Sequence, residues 1–253
     1  MSKQLLILEK RFCFVHLSND ELEKLEQRNF EKMLSILKSN KRHIIYRLKS
    51  GSYIKRNWRR KLKKVNEIEK SIERIITAVL LRELKWQINS NPVSSDLCFE
   101  IKRDAILHLD CKSVKFGDVY GDDLPGTFVI GENQASYPGN YTRIRGEFRG
   151  LNLKFKPNLP KYYHHRNFGD IPCLTYFLKI VYEVSNFDFN LKSINFYCLP
   201  NGQLTYYGNL VKGVKFYDNK TNPTRILTPR INVKKMNNKS QTRAGWNRAI
   251  ENF

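Results

Sequence analysis

The chain has 253 residues, 41% hydrophobic and 12% aromatic, a composition that buries a sizeable core and excludes a disordered polymer. Its 45 Lys and Arg against 24 Asp and Glu give a formal charge of +21, which points to a polyanionic partner, nucleic acid before an anionic membrane surface. No apolar run reaches the ~18 residues of a membrane span, and neither a signal-peptide core nor a zinc or disulfide cysteine spacing is present.

Residues 18–39, SNDELEKLEQRNFEKMLSILKS, open with Ser18 and Glu21 at capping-box spacing. Leu22, Leu25, Phe30, Met33, Leu34 and Leu37 then recur at helical spacing, so an amphipathic helix is expected. Residues 42–64 are dominated by positive charge and end in KRNWRRKLKK, seven of whose ten residues are Lys or Arg. A second helix is expected from about Val65 to Leu84, with Ile68, Ile72, Ile75, Ile76, Val79 and Leu80 as its apolar stripe.

After Trp86 the pattern changes. NSNPVSSD is a turn-rich break, and LCFEI and AILHLDCKSVKF read as antiparallel strands joined by the KRD turn. GDVYGDDLPG reads as a loop, and TFVIGENQASYPGN starts as a strand and loses regularity. CLTYFLKIVYEV is a further strand, and LKSINFYCL with QLTYYGNLV reads as a hairpin about Asn201-Gly202. From Asn219 the chain is polar and basic, broken by Pro223 and Pro229, with a short helix expected around Ala244–Ile250. The five cysteines (Cys13, Cys98, Cys111, Cys173, Cys198) mostly sit in apolar runs, as buried free thiols of a reducing cytoplasm would.

The chemistry concentrates in SSDLCFEIKRDAILHLDCKSVKF. Residues two apart on a strand share a face, so His108, Asp110 and Lys112 project together while Leu107, Leu109 and Cys111 turn into the core. A short turn brings Asp96, at the entrance of the preceding strand, beside Asp110. Two carboxylates there suit Mg²⁺, and an ammonium group beside them suits a developing negative charge. Other acid–x–Lys triplets occur at Glu83, Glu100 and Asp218, but none combines an apolar strand, an upstream Asp and a preceding helix.

This arrangement resembles the active site of the PD-(D/E)XK nuclease superfamily, in particular the EcoRV-like Type II restriction endonucleases. The resemblance covers about residues 65–137, and it implies an α/β (α+β) fold with a central mixed β-sheet flanked by helices. It assigns Asp96 as the first acid, Asp110 as the second and Lys112 as the lysine, with metal contacts at Asp96, Asp110 and Cys111. Members often add a Glu from the preceding helix, for which Glu69 and Glu73 are the candidates. Pro92 lies four residues before Asp96, where the family usually has Pro immediately before the acid.

Base reading calls for amides and guanidinium groups in loops near such a site. Asn89 and Asn91 precede Asp96; Asn133, Gln134, Ser136, Tyr137 and Asn140 follow the active strand; Arg225 and Arg230 lie in the tail. Lys55, Arg56, Arg59 and Arg60 in the basic run suit phosphate contacts. The adjacent histidines of YYHHRN cannot share a strand face and read as a polar loop, and Asp118, Asp122 and Asp123 read as a solvated turn.

The expectation is therefore one nuclease domain over 1–253. Residues 1–64 form a helical, basic part for DNA contact or dimerisation, 65–218 a catalytic core, and 219–253 a basic C-terminal arm. The expected activity is Mg²⁺-dependent, sequence-specific cleavage of double-stranded DNA by a homodimer, leaving 5′-phosphate and 3′-hydroxyl ends. A structure-selective or repair nuclease of the same fold and a non-catalytic nucleic-acid-binding protein are the alternatives.

Overall fold

The computed structural model describes residues 17–50, 65–89, 95–101, 104–118, 121–131, 134, 136, 142–145, 152–155, 159–165, 169–185, 188–204, 211–219, 222–236 and 246–253. Its centre is a mixed sheet with helices on one face. The helices are α1 (Asn19–Ser39), α2 (Lys41–Ser50) and α3 (Val65–Leu84). The sheet strands are β1 (Gln87–Ile88), β2 (Leu97–Ile101), β3 (Ala105–Lys115), β7 (Tyr162–His165), β8 (Gly169–Ser185), β9 (Asp188–Leu199) and β12 (Ala249–Ile250). They run in the order β1-β2-β3-β8-β9-β12, with β7 also paired to β8. The β3–β8 pair is parallel and the rest are antiparallel. Three further strands, β4 (Thr127–Val129), β10 (Val211–Asn219) and β11 (Asn222–Asn232), form a second sheet, and β5 (Thr142–Arg145) pairs with β6 (Asn152–Phe155).

Strand alternation sorts the central sheet into two faces. Leu97, Phe99, Leu107, Leu109, Cys111, Leu174, Tyr176, Leu178, Phe196 and Cys198 are buried and share the helix-covered face through the β2–β3–β8–β9 register. Phe30 of α1 enters this layer, stacking on Phe196 at 4.7 Å and lying 5.5 Å from Trp246. The opposite face carries His108, Asp110, Lys112, Phe177, Lys179 and Tyr197. Part of it is roofed by Phe128 of β4, 4.4 Å from Tyr197 and 5.0 Å from Phe177.

The capping box forms as read: Ser18 Oγ accepts from Glu21 N at 3.3 Å, and Ser18 N donates to Glu21 Oε2 at 2.9 Å. Helix α1 and the C-terminal segment are joined by charge. Arg248 is fully buried, its Nη2 lying 2.6 Å from Glu26 Oε2 and 3.5 Å from Glu23 Oε1, with the guanidinium 4.6 Å from the Trp246 ring. Glu26 also accepts from Asn201 N at 2.7 Å. Burial pushes the Glu26 carboxyl up and Arg248 pulls it back.

Helix α2 falls within the helical, basic part expected over 1–64 and buries Ile44 and Leu48. Among the described residues β9 pairs with β8 and β12, and β10 with β11; residues 205–210 of the hairpin expected about Asn201-Gly202 lie outside the described residues. Asn201 is fully buried, its amide donating to Lys161 O and Cys173 O. A Cβ on Gly202 would lie 2.5 Å from Ser136 O, so the tight approach there requires glycine. Part of YYHHRN is strand β7, part of the polar tail is β11, and Ala249–Ile250 is strand where a helix was expected. Asp122 is buried and not in a solvated turn. Cys98, Cys111, Cys173 and Cys198 are buried and free, as expected; Cys13 lies outside the described residues. Among the described residues no helix is long and apolar enough to cross a membrane.

The buried ion pair makes a specific prediction. Arg248→Met should cost about 3–5 kcal/mol in chemical denaturation, because it strands the Glu26 carboxylate in the core. Adding Glu26→Gln, which keeps the acceptor for Asn201 N, should recover much of that loss.

Candidate active site

Asp110 sits at the middle of β3, on the face opposite the helices, and the β2–β3 register sets its neighbours. Leu97 pairs with Leu109 and Cys98 with His108, so Asp96, one residue ahead of β2, falls beside Asp110. The exposed Asp96 accepts a hydrogen bond from the Cys111 main-chain N–H at 2.6 Å, through Oδ2. Lys112, two residues on and on the same face, brings Nζ to 2.6 Å from Asp110 Oδ2. The other oxygen of Asp110, Oδ1, accepts from the Gln134 amide at 2.6 Å, and Gln134 in turn accepts from Gly131 N at 2.8 Å.

Asp110 is only 5% exposed. Burial pushes its carboxyl up to about 6, Lys112 pulls it down, and the negative charge of Asp96 raises it again. Two carboxylates held this close favour a shared cation. The Cys111 thiol on the opposite face is pushed well above its ordinary range by burial first, then by the charges of Asp96, Asp110 and Glu73. Glu73, half-buried on α3, thus acts on the Cys111 thiol, on the helix-covered face of β3.

The donor set is oxygen only and matches the preference of Mg²⁺. Among the described residues no group of three or more His, Cys, Asp or Glu closes around one point. A metal here would take most of its remaining contacts from water and phosphate, as Mg²⁺ commonly does. The residues fit the ion in chemistry: a costly buried carboxylate, a second acid beside it, and a lysine on the same face.

The other predicted residues are distributed as follows. Glu69 is on α3, but its side chain lies outside the described residues, as do Asn91, Asn133, Tyr137, Asn140, Lys55, Arg56, Arg59 and Arg60. Arg225 and Arg230 lie on β11, with side chains outside what is described. Asn89 continues the β1 edge, its N–H donating to Cys98 O at 2.9 Å. Two of the expected base readers are used inside the protein: Gln134 binds Asp110, and Ser136 is buried near Gly202. Cys111 keeps its thiol in the core, so a metal contact there would fall to its main chain.

Sequence reasoning missed Lys179, buried on β8 in register with Lys112. Its Nζ donates to Leu124 O at 2.7 Å; burial lowers its pKa, and Glu251, Asp122 and Asp123 oppose that. A lysine inside the apolar run CLTYFLKIVYEV was the available signal.

Residues 18–186 match the family described as "Type II restriction enzyme MwoI, N-terminal domain". The fold is similar to that of the restriction endonuclease BglI bound to its DNA recognition sequence, with TM-score 0.66 and 15% identity over 92% of this chain and 91% of that one. It is equally similar to the tetrameric restriction endonuclease SfiI bound to cognate DNA, with TM-score 0.67 and 15% identity over 94% of this chain and 87% of that one. No curated protein sequence matches the chain.

The buried charge of Asp110 can be measured directly. Its folded pKa of about 6 lies above the ordinary 3.8, so the folded state holds the proton more tightly and loses stability as pH rises from ~4 to ~6. Above pH 6 the loss is on the order of 3 kcal/mol. In EDTA, Asp110→Asn should therefore melt several degrees above the wild type at pH 8, with the gap shrinking towards pH 4.

Proposed function

Because the chain belongs to the family of the type II restriction enzyme MwoI, N-terminal domain, and so is a site-specific deoxyribonuclease, we propose that it is a Mg²⁺-dependent enzyme cutting double-stranded DNA at a defined sequence. The observation that carries the metal reading is the buried Asp110 carboxylate, set beside Asp96 and 2.6 Å from the Lys112 ammonium.

In this reading Asp96 and Asp110 hold Mg²⁺, with Glu69 and Glu73 of α3 as the two candidates for a helix carboxylate. When bound, the ion supplies Lewis-acid charge and an acidified water. Lys112, fixed on the Asp110 side of the site, stabilises charge developing on the scissile phosphate. Hydrolysis adds water across the P–O3′ bond and leaves a 5′-phosphate and a 3′-hydroxyl. The Cys111 N–H holds Asp96 and the Gln134 amide holds Asp110, so both carboxylates are oriented before substrate arrives.

The formal charge of +21 supports a DNA partner, and Arg42, Arg47 and Lys49 are exposed on α2 for phosphate contact. A homodimer suits a twofold-symmetric recognition sequence, each copy cutting one strand. The single nuclease domain over 1–253 is kept, with α1 and the Trp246–Phe253 segment packed on the sheet that carries Asp110.

The test is digestion of plasmid DNA by the purified protein in Mg²⁺ and in EDTA, beside Asp110→Ala. Discrete fragments that need Mg²⁺ are expected, with the variant slower by roughly 10³-fold or more. Sequence-independent cutting of branched DNA, or DNA shifted on a gel but never cut, would overturn the reading.

A further inference from the structure

Behind the two aspartates runs a second polar chain that the proposed hydrolysis does not use. His108 lies on β3 two residues before Asp110, across from Cys98 on one side and Thr175 on the other, and is 2% exposed. Its Nδ1 is 3.0 Å from Ser95 Oγ and its Nε2 is 2.8 Å from Tyr163 Oη. The Tyr163 ring lies against the imidazole, with centroids 5.8 Å apart and planes 29° apart.

The proton positions follow from counting donors. Ser95 Oγ donates its single hydrogen to Leu97 O at 3.1 Å. It must therefore accept from His108, which places the ring hydrogen on Nδ1. Nε2 then accepts from the Tyr163 hydroxyl. The direction is Tyr163 to His108 to Ser95 to the main chain of Leu97. Burial pushes the imidazolium form down to about 4, which agrees with a neutral ring. A serine next to a histidine invites a nucleophile reading, but here the serine proton points at a carbonyl and the third member is a donor. The pair is not arranged to activate Ser95.

The chain ends at the residues on both sides of Asp96: Ser95 before it and Leu97 after it. The Asp96 carboxylate is itself fixed by the Cys111 N–H. The turn is thus clamped from the His108 side through its main chain and from the Cys111 side through its carboxylate. We infer that His108 is a positioning residue, which through Ser95 holds Asp96 at the distance from Asp110 that a divalent cation requires. This rests on the nuclease reading above. Outer partners of this kind typically change metal affinity by about 10–100-fold.

Mn²⁺ serves as the probe. Binding to the protein without DNA is followed by loss of the free-ion EPR signal, and cleavage of plasmid DNA is followed against Mg²⁺ concentration. Ser95→Ala and His108→Leu should raise the half-saturating concentration in both assays by about 10–100-fold, while cleavage at saturating Mg²⁺ stays within a few-fold of wild type. His108→Asn, which can still donate from the Nδ1 position, should return to near the wild-type midpoint. Tyr163→Phe, which keeps the ring stack, should fall between.

Unchanged midpoints in Ser95→Ala and His108→Leu would overturn the inference while leaving the nuclease reading intact. So would a loss that follows melting temperature in every variant, His108→Asn included. A wild type that neither takes up Mn²⁺ nor cuts DNA would overturn both.

Discussion

A carboxylate in the middle of a buried strand is expensive, and the site is organised around the cost of Asp110. Its two oxygens have separate partners, Lys112 on one side and Gln134 on the other, yet the carboxyl is still pushed up to about 6. Desolvation therefore outweighs the lysine. Asp96 increases the cost, since it adds a second negative charge at the same place. A fold tolerates such an arrangement when its balance is completed by something it binds, and a small hard cation with a phosphate oxygen in its shell meets that need.

The strand can hold Asp110 there because the opposite face is ordinary. Leu107, Leu109 and Cys111 enter the layer beneath α1 and α3, and their burial secures β3 whatever the polar face carries. The parallel pairing with β8 continues that layer through Leu174, Tyr176 and Leu178. The charge network of Arg248, Glu26 and Glu23 then closes α1 against the chain's last residues. Chain segments more than 200 positions apart thus meet at a buried ion pair, tying the packing of the N-terminal helix to the C-terminal segment.

What was legible in the sequence was local. The capping box at Ser18, the stripe of α3 and the alternation that puts Asp110 and Lys112 on one face are all set within one helix or strand. The parallel β3–β8 register was not legible, because it depends on which apolar strand wins a place across a long connection. The buried role of Asn201 was not legible either, because its partners Lys161, Cys173 and Glu26 come from distant parts of the chain. Strand β11 was hidden by Pro223 and Pro229, although Pro229 still stands opposite Val214 in the ladder. At the site, Gln134 looked like a base reader because polar loops always offer amides; only three dimensions show it bound to Asp110.

That last contact bears on how recognition and chemistry are joined. Gln134 sits only a few residues after β4, and β4 is paired with β11 while Phe128 packs on Phe177 and Tyr197. Just before β4, Gly126 N donates to Glu251 Oε1, which also accepts from Tyr197. The segment is therefore anchored at its root to the C-terminal end and at Gln134 to the Asp110 carboxylate. The Gln134–Asp110 hydrogen bond thus links this segment directly to the site. If DNA is read by residues in this stretch, the fit of a sequence bears directly on the orientation of the carboxylate that the chemistry needs.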